Sequence, residues 1–146
     1  MNTTISAERW TSLRERFLRE PFPPRMGELA CALASARSFS DHPEHREVVK
    51  MFLDESAHYA EWLTPEATPN LQAELDELQR LLARWRENWQ AIWDDPVERA
   101  SVAAQAGEWS QKMLERSGLL DYDDWRTVFR RAPAPTVTVG EAVEAM

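Results

Sequence analysis

Apolar residues Leu71, Leu75, Leu78, Leu82, Trp85, Trp89 and Ile92 recur at alternating steps of four and three, the period of a helix that keeps one face on a partner. The stripe predicts one continuous helix over 70–94. Similar spacing predicts a helix over 24–38 with a mostly small stripe (Met26, Leu29, Ala30, Leu33, Ala34) and another over 43–63. In the latter, Val48, Val49, Phe52, Leu53, Ser56, Tyr59, Ala60 and Leu63 share a face, and Asp54, Ala57, His58 and Glu61 lie roughly opposite. A fourth helix over 96–116 turns Val102, Ala103, Ala106, Trp109, Met113 and Leu114 inward, with Gly107 at the edge of that face and Glu108 and Lys112 paired outward.

Two shorter amphipathic segments flank these four. An arm over 6–19, with Ser6 as its N-cap, sets Trp10, Leu13 and Phe17 against Arg9, Ser12, Arg16 and Arg19. A closing helix over 121–131 carries Tyr122, Trp125 and Phe129 for attachment to the body, and 132–146 reads as a mobile tail. The breaks follow local chemistry. Pro21, Pro23 and Pro24 end the arm, Ser40 or Asp41 caps the helix opened by Pro43, Thr68 or Asn70 caps the central one, Pro96 opens the fourth, and Gly118 closes it. The expected fold is all-α: an antiparallel up-and-down bundle of four main helices, an N-terminal arm and a short closing helix, forming one domain over 1–131.

Composition narrows the functional classes. With 146 residues, few glycines and many Ala, Leu, Glu, Arg and Gln, the chain suits a single helical core. A net charge of −8 opposes an extended nucleic-acid surface and adhesion to anionic lipid. No basic-then-apolar leader and no membrane-length apolar run is visible, so a soluble cytoplasmic protein is expected. The lone Cys31, among alanines, is expected to be buried as a small apolar side chain.

Certain stretches resemble a known group. Leu18-Arg19-Glu20-Pro21, Arg46-Glu47-Val48-Val49, Leu53-Asp54-Glu55-Ser56 and Leu114-Glu115-Arg116-Ser117-Gly118-Leu119-Leu120, with Trp109-Ser110, are similar to stretches of small helical cyanobacterial proteins of unassigned function. The resemblance spans most of the chain up to Leu120 and implies a cytosolic helical protein with no transferable catalytic residue.

Candidate chemistry is sparse. Glu55-Ser56-Ala57-His58 has the E-x-x-H ligand spacing of di-iron carboxylate bundles, but a second such pair is missing, because His42 and His45 have no Glu three residues before them. His42-x-x-His45, completed by His58 or Asp41, is a zinc-like set that meets only with strain. The plainer expectation is a solvated face at Glu55 and His58, and a packed, hydrogen-bonded ring at His45. No nucleophile motif or glycine-rich phosphate loop is present, so no catalytic residue and no cofactor are assigned.

Of the seven tryptophans, Trp85, Trp89 and Trp109 are expected in the core. Trp62 and Trp93, with Trp10, sit at the margins of their stripes and together are candidates for an exposed partner-binding patch. The arginine excess between Arg9 and Arg25 is either an ordinary polar face or a handle for an acidic partner. The functional expectation is therefore a non-enzymatic interaction or scaffold protein. Its partner is another protein or a second copy, as the heptad-like central stripe suits a helix partner in the same chain or, in a homodimer, in another. The alternative is a small-ligand or metal-binding protein with a site between helices near His45, Glu55 and His58.

Overall fold

The structure, a computed structural model, describes the backbone of residues 2–119 and the side chains of 7–119. The closing helix expected over 121–131 and the tail expected over 132–146 lie outside the described residues. Within them every regular element is helical: α1 (Asn2–Arg19), α2 (Phe22–Phe39), α3 (Arg46–Leu63), α4 (Pro69–Glu87), α5 (Trp89–Asp94) and α6 (Pro96–Ser117). Short 3-10 turns at Pro43–His45 and Thr64–Glu66 lead into and out of α3. The all-α bundle expected from the periodicity is the fold observed.

Direction follows from which ends meet. Arg25 at the start of α2 reaches Glu66 beyond the end of α3, and Phe39 at the end of α2 stacks 5.7 Å from Phe52 in the first half of α3, so these helices run in opposite senses. Gln72 donates to the Thr64 carbonyl and Arg86 to Asp54, which reverses α4 against α3. Ser110 Oγ donates to the Ala30 carbonyl at 2.7 Å, and Leu119 lies against Gly27, which reverses α6 against α2. Arg116 bonds Glu74 through two nitrogens at 2.9 Å and closes the ring between α6 and α4. The arm α1 lies outside this ring and runs the same way as α3, with Arg9 beside Glu55 and Phe17 beside Tyr59 and Trp62.

The core is the set of stripes closed on one another: Met26, Leu29 and Leu33 of α2, Val49, Leu53 and Leu63 of α3, Leu75, Leu78 and Leu82 of α4 and Met113 of α6 are fully enclosed. The heptad-like face of α4 is thus consumed within one chain, which removes it as a dimer seam. Small residues explain the tight pairing of α2 with α6. On the α6 side of α2 the Ala30 carbonyl meets Ser110 and the Arg37 stem lies on Gly107, and residues as short as Ala30 and Gly107 allow two helix backbones to approach.

Several local expectations are corrected. Ser6 lies inside α1, which begins at Asn2, so it is not an N-cap. Neither Ser40 nor Asp41 caps the turn at Pro43 or the helix beyond it: Ser40 Oγ instead donates back to the Ala36 carbonyl at 2.7 Å and ends α2. Thr68, rather than Asn70, caps α4 by accepting from Leu71 N–H, and Asp95 caps α6 by accepting from Val97 N–H. The expected Gly118 stop is present, with φ at 83° in the left-handed region.

The central helix is not continuous. It breaks at Asn88, whose backbone N–H is shared between the Arg84 carbonyl at 3.3 Å and, at 3.2 Å, the Trp85 carbonyl that Trp89 would use in a continuing helix, while its side chain also donates to the Arg84 carbonyl at 2.9 Å. After the break α5 turns two indoles inward. Trp93 Nε1 donates to the Pro43 carbonyl at 2.6 Å and Trp89 Nε1 to the Arg46 carbonyl at 3.3 Å.

Candidate functional site

The described surface richest in reactive and aromatic side chains lies where α1 crosses α3. Residues 55, 58, 59 and 62 are spaced to share one face of α3, which sets Glu55, His58, Tyr59 and Trp62 in a row. From α1 the matching row is Arg9, Trp10, Leu13 and Phe17. Phe17, buried, stacks on Tyr59 with centroids 4.5 Å apart and planes 9° from parallel. Trp10 lies 4.1 Å from His58, and His58 lies 5.4 Å from Trp62, so the imidazole sits between two indoles. Arg9 places its guanidinium carbon 4.8 Å over the Trp10 ring and donates to Glu55 at 3.2 Å.

Burial under α1 shifts the titratable groups of this row. It raises the Glu55 carboxyl above its ordinary value, the Arg9 charge opposing it in part and the Glu28 carboxylate adding to it. It lowers His58. The Tyr59 phenol is pushed up to about 12, first by burial and then by the negative charge of Glu55 and Glu28. Folding linkage then has opposite signs at the two ends of the row. A lowered imidazole pKa means that the unfolded chain binds the proton more tightly, so the His58 contribution favours the fold above pH 6.5 and turns against it as pH falls. The raised Glu55 favours the fold in acid and weakens it as pH rises through 4.5 and above. In a histidine NMR titration His58 is expected to have its midpoint below 6.5, and Trp10→Ala to move that midpoint up toward the ordinary value. An unshifted midpoint in the wild-type chain would show that the ring is open to water.

The residues expected from sequence separate into two groups. Glu55 and His58 share the α1–α3 face, but not as a solvated face: only 17% of the Glu55 side chain is exposed, and His58 is half-buried. That correction has a physical cause, since α1 packs over a face that the α3 periodicity marks as polar. His45 is elsewhere. It lies thirteen residues before His58, roughly 20 Å along a helix axis, with Nδ1 3.1 Å from the Phe39 carbonyl and its ring 5.4 Å from His42. His45 is thus set apart from Glu55 and His58, and no group of three His, Cys, Asp or Glu among the described residues is placed to hold a metal ion.

The tryptophan patch is likewise divided. Trp10 and Trp62 do come together, each half-buried, on either side of His58. Trp93 does not join them, being 4% exposed at the opposite end of α3. Its indole N–H needs an acceptor, and the carbonyl of Pro43, at the start of the 3-10 turn before α3, supplies one. Trp109, expected in the core, is half-buried with Lys112 Nζ 4.6 Å from its ring, so Lys112 is turned to the indole instead of Glu108. Cys31 is exposed, not buried.

One residue of the arginine-rich start gives no sequence signal as an interior group. Arg25 is 4% exposed. Its guanidinium donates twice to the Glu66 carboxylate, at 2.7 and 2.9 Å, and once to the Glu20 carbonyl, with the Phe17 and Phe22 rings on its flanks. Those hydrogen bonds hold Glu66 below the usual carboxylate range. The arm, α2 and the end of α3 are joined there.

No helix among the described residues is long and apolar enough to cross a membrane. Compared with known proteins, the chain matches no family model, no curated protein and no solved structure.

Proposed function

We propose that the chain is a non-enzymatic interaction protein of the cytoplasm, which grips a protein partner through the α1–α3 face. The observation that carries this reading is the meeting of Trp10 and Trp62, half-exposed on either side of His58, with Arg9 against the outer indole. Large, partly rigid aromatic side chains and arginine are the residue types that most often dominate binding energy at protein interfaces. Arg16 and Arg19 lie along the same arm and favour an acidic partner surface.

The experiment is a pull-down from the native cell with three baits: wild type, Trp62→Ala and, as a control on a distant half-buried indole, Trp109→Ala. Circular dichroism on each bait shows that the fold is kept. A protein held by wild type and Trp109→Ala but lost with Trp62→Ala supports the proposal. An identical set of captured proteins on all three baits would overturn it. Light scattering on the purified chain separates a second copy from a foreign partner: a strict monomer at high micromolar concentration removes self-association.

A further inference from the structure

Between the end of α2 and the first turns of α6 lies a cleft of about 540 Å³, lined by Arg37, Ser38 and Asp41 on one side and by Arg99, Ala100 and Ala103 on the other. Among the described residues Asp41 is the only carboxylate on its walls, in a chain that is acidic as a whole.

Both arginine side chains lie against neighbouring elements of the fold. Gly107 sits in the middle of α6, where glycine costs about 1 kcal/mol relative to alanine. Its lack of a side chain is used by Arg37: a Cβ at position 107 would come within 2.7 Å of Arg37 Cδ and 3.2 Å of Nε. The Arg37 stem is therefore laid along α6, and its guanidinium has no ion pair among the described residues. Arg99 is anchored by one nitrogen, which donates to the Trp93 carbonyl at 2.7 Å, and its guanidinium carbon lies 5.1 Å over the Trp93 ring. It too lacks a carboxylate partner among the described residues.

We infer that this cleft binds the phosphate group of a small molecule. Two guanidiniums from two different helices offset the double negative charge of a phosphate dianion, and their planar donor arrays match its oxygens. The alanine walls on α6 leave space for a compact ligand. The cleft shares no residue with the α1–α3 face, so the two proposals stand or fall separately.

The test is an amide NMR titration of the full chain with inorganic phosphate, and with sodium acetate at matched ionic strength. Saturable shifts from phosphate at Arg37, Ser38, Arg99 and Ala100, absent with acetate, are expected. Arg37→Gln should weaken that binding about tenfold or more. Gly107→Ala, a helix-favouring change, should displace the Arg37 stem and weaken it similarly while the remaining amide spectrum stays folded. No saturation at millimolar phosphate, equal saturation by acetate, or undiminished binding in a folded Gly107→Ala protein would each overturn the inference.

Discussion

Leu78→Ala is expected to lower the unfolding free energy by about 3–4 kcal/mol, the middle of the range for deleting a fully enclosed leucine. Leu78 is 0% exposed at the middle of α4, within the stripe that α2, α3 and α6 close around. The loss combines the transfer energy of the missing methine and methyl groups with a cavity that surrounding helices fill only in part. Because a domain of this size has about 5–15 kcal/mol in total, the variant should show a clearly lower urea midpoint with an unchanged slope. A loss below about 1 kcal/mol would mean that the α4 stripe is not enclosed as described.

The second large effect is expected at Arg25. Arg25→Met keeps most of the stem volume but removes three donors, two of them to the Glu66 carboxylate and one to the Glu20 carbonyl. About 2–3 kcal/mol should be lost, less than for a deeply buried ion pair, because Glu66 stays half-exposed and regains water. The pH dependence supplies an independent check. Glu66 is held below its ordinary value, so the stability it contributes is present above pH 4.5 and is lost as pH falls through the lower folded value. Arg25→Met should flatten that acid limb while leaving the chain folded at neutral pH. If urea unfolding of the variant retains the wild-type acid limb, the Arg25–Glu66 pair is not its source.

The helical architecture is legible in the sequence because the α4 stripe, from Leu71 to Trp85, has one unbroken period and real enclosure follows it. The break at Asn88 is hidden by the same regularity, since Trp89 and Ile92 continue the spacing across it. Cys31 escapes its expected burial for a geometric reason. Helix α2 packs against α3 and α6 at once, so its buried arc runs from Met26 through Leu29, Ala32, Leu33 and Ala36, and Cys31 falls about 160° from Leu33 at ~100° per residue. Counting alanines cannot locate that arc.

The candidate site is half legible. Glu55, His58, Trp10 and Trp62 stand out in the sequence, but their meeting depends on α1 crossing α3, which no spacing within one helix encodes. Trp93 at a stripe margin reads as surface, although its indole N–H reaches a carbonyl fifty residues earlier in the chain. Arg25 and Arg37 give no signal at all: an arginine beside apolar residues reads as a polar face until a distant Glu66 or a distant Gly107 is known.

The pairing of Ala30 with Ser110 joins residues 80 positions apart. A nascent chain can build the hairpin of α2 with α3, and then add α4, from near neighbours, but the alanine flank of α2 has no mate until α6 has left the ribosome. Closure of this helical core therefore waits on the synthesis of α6, and its longest loop closure falls on the last described helix.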